Sequence, residues 1–162
     1  MMMTTVTEAR IPDRRGSGRE MIQHLLSERR DMLVLFCRVA GLSPFADRKA
    51  QADVLQAFCQ ILVDYMAAAH FSLYRRIVEG TERRQDVLAL ADEIYGRIEA
   101  CTETAIWFND KYDQLRDEAF EADLHADLSL LGEALATRIE LEDRLIAALR
   151  GEGLRTVPAE GA

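Results

Sequence analysis

Apolar side chains recur every three or four residues along most of this 162-residue chain. Between Arg19 and Ala40 they fall at Ile22, Leu25, Leu26, Met32, Leu33, Phe36 and Val39, the spacing of one face of an α-helix. Gly41 suits a C-terminal cap, and Ser43-Pro44 resembles an N-cap followed by proline at the first helical position. Residues 41–50 are therefore a connection with room for one short turn. A second helix is expected from Gln51 to Glu79, stopped by Gly80, with Thr81 placed to cap the next one. A third follows from Glu82 to Tyr112, with Val87, Leu90, Ile94, Ile98, Cys101, Ala105 and Phe108 on its apolar face. The charged run DQLRDEA over 113–119 breaks the stripe. A fourth helix runs from Phe120 to Arg150 through Leu124, Leu128, Leu131, Leu135, Ile139, Ile146 and Leu149, and Gly151 and Gly153 end it.

Four long amphipathic rods with short links predict an all-α fold, an antiparallel up-down-up-down four-helix bundle. The three prolines, at 12, 44 and 158, stay outside the periodic runs, as they must if those runs are helical. The expected division is a disordered N-terminal extension over 1–18, with Gly16-Ser17-Gly18 as a flexible entry, the bundle over 19–151, and a flexible tail over 152–162.

Charge changes along the chain. Residues 1–50 hold nine Lys/Arg against six Asp/Glu, residues 51–100 five against eight, and residues 101–162 six against fourteen, for a net charge of −8. An acidic C-terminal half argues against direct binding of nucleic acid, whose phosphates need a basic surface, and suits a basic protein partner. Three doublets, Arg29-Arg30, Arg75-Arg76 and Arg83-Arg84, lack the interleaved aromatics of a single-strand platform and read as solvated surface. Cys37, Cys59 and Cys101 are scattered among apolar residues with no C-x-x-C pair, which fits buried free thiols in a reducing compartment. With no signal-peptide pattern and no membrane-spanning stretch expected, the chain reads as cytoplasmic.

Little points to catalysis. A di-iron carboxylate bundle needs Glu-x-x-His on two helices, but Met21, Ala67 and Ala122 stand three residues before His24, His70 and His125. No G-x-S-x-G, P-loop or G-x-G-x-x-G occurs. No enzyme activity, metal or cofactor is expected. The second helix is more telling. AFCQILVDYMAAAHFSLYRRIV, 57–78, is apolar enough to be buried, yet carries Asp64, Tyr65, His70 and Tyr74. Each unpaired polar group buried there costs about 1–3 kcal/mol. His70 and Tyr74, four apart, share one face, and Asp64 and Phe71, seven apart, share another. Arg138 and Glu142 lie within the apolar stripe of the fourth helix. The residues allow a buried polar network of His70, Arg138 and Glu142, and a recognition surface around Asp64 and Phe71.

The segments LLSERRDMLVLFC (25–37), SPFAD (43–47), FCQILVDY (58–65), HFSLYRRI (70–77) and GEALATRIELEDRLI (132–146) resemble the Rsd/AlgQ family of bacterial sigma regulators. The resemblance covers Met21 to Leu149. It implies a four-helix-bundle anti-sigma factor that binds region four of the housekeeping sigma factor of RNA polymerase as a monomer, in a 1:1 complex. From enteric members it also implies a second partner, the phosphocarrier protein HPr. Through Val63-Asp64-Tyr65 it nominates Asp64 as the foremost sigma contact, with Tyr65, His70, Phe71 and Tyr74 beside it and Leu25, Leu26 and Arg29 on the first helix. The chain departs from the family pattern at Leu25, where tryptophan is usual, and at Ala69, where glycine is usual.

Overall fold

A computed structural model describes residues 14–41, 48–113 and 120–151. They form four helices, α1 (Arg14–Gly41), α2 (Arg48–Val78), α3 (Gln85–Tyr112) and α4 (Phe120–Leu149), arranged as an antiparallel four-helix bundle. At 1.5 Å per residue, rods of this length reach about 42–47 Å. α1 packs along α2, α3 packs along α4, α2 lies on α3, and α4 meets α1 and α2 more sparingly. Residues 1–13 of the expected extension, the Ser43-Pro44 cap with SPFAD, residues 114–119 of the charged run and the tail from 152 lie outside the described residues.

Three helix starts differ from the expectation. α2 begins at Arg48, three residues before Gln51. α1 begins at Arg14, so Gly16-Ser17-Gly18 is helical and not a flexible entry. Glycine costs roughly 1 kcal/mol inside a helix, but once a helix is nucleated each added residue gains a hydrogen bond. α3 begins at Gln85, three residues later than Glu82. The cause is the chemistry of the 79–84 connection. Gly80 adopts φ +72°, the left-handed conformation that glycine takes without strain. Thr81 N–H then donates to the Arg76 carbonyl at 2.9 Å and Gly80 N–H to that of Ile77 at 3.2 Å, closing the end of α2 in a Schellman arrangement. The Thr81 hydroxyl also donates to the Arg76 carbonyl. Thr81 therefore finishes α2 and does not cap α3. Glu82, nearly inaccessible, accepts hydrogen bonds from the Arg84 backbone N–H and from its guanidinium.

The core is continuous along the bundle. Phe36, Phe58, Phe108 and Tyr112 form an aromatic row across α1, α2 and α3, with successive centroids 5.9, 5.8 and 4.6 Å apart. Edge-to-face and tilted pairs of this kind add about 0.5–1.5 kcal/mol each beyond area burial. Gly132 of α4 makes room for the row: a Cβ there would lie 3.1 Å from Phe36 Cζ. Cys59 and Cys101 are buried, but Cys37 is exposed, on the side of α1 turned away from the bundle. Burial pushes the Cys59 thiol up to about 12.

Leu25 and Ala69, the two departures from the family pattern, are both core positions. By length and composition Gln51–Val78 could cross a membrane. Here it is the central core helix, burying Leu55, Phe58, Leu62, Tyr65, Ala69 and Leu73 against its neighbours. A second polar cluster ties α3 to α4. Asp127 accepts from the Tyr112 hydroxyl and from Lys111 Nζ at 2.7 Å. Burial raises the Asp127 carboxyl, but those two donors outweigh it and hold the group below the usual carboxylate range.

Candidate functional site

The interior of the bundle holds one polar network that draws on all four helices. The Tyr65 hydroxyl on α2 donates to the Glu142 carboxylate on α4. Arg29 on α1 places Nη2 3.7 Å from Glu142 and donates from Nη1 to Asp143 at 2.7 Å. Arg138, one turn before Glu142, sits with Nε 3.6 Å from it. Arg138 Nη1 donates to the Thr102 hydroxyl and, at 3.4 Å, to the Ile98 carbonyl on α3. Burial raises the Glu142 carboxyl, opposed by Arg138, Tyr65 and Arg29. Burial and the adjacent Glu142 charge hold the Tyr65 phenol well above its ordinary value. Burial alone would lower the Arg29 guanidinium, but Asp143, Tyr65 and Glu142 prevail and raise it.

His70 is not part of this network. It is exposed and stacks on the Tyr74 ring, with centroids 6.3 Å apart and planes 20° apart. Four residues make 400° of helix turn, so His70 and Tyr74 share a stripe while only Tyr74 turns inward, at 4% exposure. Burial lifts the Tyr74 phenol to about 12. Among the residues nominated for partner contact, Leu25 and Tyr65 are wholly buried, Tyr74 and Arg29 nearly so, and Leu26 partly. These five serve the core and its network. Asp64, His70 and Phe71 remain at the surface, Phe71 at 59% exposure.

Those three border two grooves. One, of about 550 Å³, runs between α1 and α2 and is lined by Glu20, His24 and Glu28 on α1 and by Asp64, Ala67 and Phe71 on α2. Gln60 donates to Asp64 at 3.2 Å, and Ser72 clamps the two helices by donating to the Met21 carbonyl at 3.0 Å. The groove thus gathers three carboxylates beside an exposed phenylalanine. Glu20 and Glu28 were not among the expected partner contacts, although Glu20, His24 and Glu28 repeat at fours and so define one face. The other groove, of about 510 Å³, lies between α2 and α3. Its walls are largely apolar, with Tyr74, Asn109 and Arg138 among its lining. Ala67 and Phe71 line both grooves and form the ridge between them. Among the described residues no three His, Cys, Asp or Glu side chains gather as metal ligands would.

An acidic helical bundle is in keeping with what its relatives are named. The family model for regulators of the RNA polymerase sigma(70) subunit, Rsd/AlgQ, matches residues 2–150. A protein of Yersinia pseudotuberculosis named Regulator of sigma D is 34% identical over 140 residues, covering 84% of this chain and 83% of that protein. Proteins of the same name from Yersinia enterocolitica and from Enterobacter sp. (strain 638) are 33% and 32% identical, the latter over 90% of this chain and 89% of its own length. No solved structure matches the chain. The match takes in all four helices, and the chain belongs to the Rsd/AlgQ family of regulators of the RNA polymerase sigma(70) subunit.

Proposed function

We propose that this protein is an anti-sigma factor that sequesters the housekeeping sigma factor by binding its region four across the α1/α2 face. The observation that carries this reading is the groove in which Glu20, Glu28 and Asp64 stand beside the exposed ring of Phe71. Region four is a helix-turn-helix module that docks on promoter DNA, so it presents basic side chains. Carboxylates complement that charge and speed encounter, while an aromatic anchor lengthens the life of the complex. Covering region four would keep it from DNA. Such a regulator acts where RNA polymerase is, in the cytoplasm, and needs no catalytic group or cofactor. Asp64 is the central polar contact, Phe71 the apolar one, and His70 borders the site. Leu25, Leu26, Arg29, Tyr65 and Tyr74 act at one remove, by fixing the positions of α1 and α2.

Titration calorimetry against the C-terminal region of the same organism's housekeeping sigma factor tests this directly. Saturable 1:1 binding is expected. Asp64→Ala and Phe71→Ala, both surface changes, should each weaken it at least tenfold while circular dichroism and melting stay those of the parent. Normal affinity in both variants would remove the α1/α2 face from the reading. Absence of any complex with sigma, alongside 1:1 binding of HPr, would transfer the face to that partner.

A further inference from the structure

The α2/α3 groove has properties that partner binding on the other face leaves unexplained. Eight large hydrophobic side chains are exposed among the described residues, and four of them, Val63, Phe71, Tyr95 and Ile106, line this groove. Concentrated apolar exposure of this kind marks a binding site more often than chance surface. Deeper in, the groove reaches polar groups with nothing to bond. The Tyr74 hydroxyl, Asn109 Oδ1 and Arg138 Nε are all buried and lack a hydrogen-bond partner. Tyr74 is 4% exposed and Arg138 3%. Leaving such groups unpaired is costly, more so for a charged one. The 3.6 Å separation of Arg138 Nε from Glu142 is too long for a hydrogen bond, and Glu142 is shared with Arg29.

We propose that this groove binds a linear amphiphile with a carboxylate head, such as a medium-chain fatty acid, its head taken by Arg138 Nε and the Tyr74 hydroxyl and its tail laid along Leu62, Met66, Ile98 and Ile106. Both head-group partners are donors at neutral pH, Tyr74 because burial keeps it protonated, which selects an anionic oxygen over an amine. The volume of about 510 Å³ lies in the range that holds a small ligand. Arg138 belongs to α4, behind α2 and α3, so a group that reaches it must pass between those helices. An extended chain can do so, whereas a helix of a protein partner would rest on the rim. Two carboxylates bear on the head: Glu99 of the lining is exposed and kept from it by the depth of the groove, and buried Glu142, 3.6 Å from Arg138 Nε, is already engaged by the Tyr65 hydroxyl and by Arg29. This site is independent of the α1/α2 reading and survives its failure.

Decanoate below its micellar concentration is the probe, with decanol as the uncharged control and the full chain as receptor. Calorimetry should give 1:1 binding of decanoate, with amide shifts in NMR spectra confined to residues 62–74, 95–109 and the neighbourhood of Arg138. Decanol should bind roughly tenfold more weakly, and Tyr74→Phe should cost decanoate a similar factor. Ile106→Glu, an exposed change that adds a negative charge to the rim, should abolish decanoate binding without altering the fold. Equal binding of decanol and decanoate, with Tyr74→Phe indifferent, would overturn the head-group assignment. Absent or unsaturable binding, or shifts spread over the whole surface, would overturn the site. Protection of the same amides by the sigma fragment with no decanoate binding would make the groove part of a protein interface instead.

Discussion

Tyr65 shows how far a single residue can be understood from its neighbours in sequence. A phenol in an otherwise apolar run demanded a partner, and that much was legible. The partner was not, because Glu142 lies 77 residues away and only the pairing of α2 with α4 brings them together. The same holds for Arg138, whose stripe position announced burial but whose acceptors, Thr102 and Ile98, belong to another helix. His70 misled for a local reason: sharing a stripe with buried Tyr74 does not decide which of the two faces inward. Tyr65→Phe removes one donor from a buried carboxylate and keeps the packing of the ring. It should lower stability by about 1–3 kcal/mol in urea unfolding. Once the folded fraction is corrected for, it should leave sigma affinity unchanged, because the hydroxyl never reaches the surface. A large loss of affinity in the fully folded variant would show that the network sets the geometry of the α1/α2 groove.

At the scale of elements, the apolar stripes placed all four helices, since the 3.6-residue period persists over seven or eight turns in each. Their ends were harder. Thr81 satisfies the composition of an N-cap, yet Gly80 in the left-handed conformation turns its hydroxyl back onto α2. The start of α3 falls instead to Glu82 and Arg84, whose pairing no local rule of capping foretells. Glu82 is held below its ordinary value chiefly by the Arg84 side-chain hydrogen bonds. Its pKa is thus lower folded than unfolded, so its contribution is present above the unfolded value of 4.5 and fades as the pH falls through the folded one. Glu82→Gln should cost roughly 1 kcal/mol at pH 7, a modest figure because Arg84 is 41% exposed and solvent-screened. The stability gap between variant and parent, followed by chemical denaturation, should narrow steadily below pH 4.5. A gap that stayed constant to pH 3 would mean that Glu82 acts by packing and not through its charge.

On the scale of the whole molecule, of the two grooves either side of the Ala67–Phe71 ridge one should be sensitive to salt and the other nearly indifferent to it. The net charge of −8 and the exposed carboxylates of the α1/α2 groove act over distances comparable to the Debye length, about 10 Å at 0.1 M salt. They steer a basic partner before contact, so raising salt from roughly 50 to 300 mM should slow association of the sigma fragment on the order of tenfold and leave its dissociation rate nearly unchanged. Asp64→Ala should lose part of that salt dependence along with affinity. Arg138 lies at the bottom of the α2/α3 groove, 3% exposed, where mobile ions screen it poorly. Decanoate affinity should therefore change by less than about twofold over the same range. Stopped-flow association for the first and calorimetry for the second separate the two faces on one preparation. If both affinities fell together with salt, the carboxylate would be binding at exposed cations on the surface and not at Arg138. If neither fell, the acidic groove would not be what draws the partner in, and apolar contact through Phe71 would have to account for recognition alone.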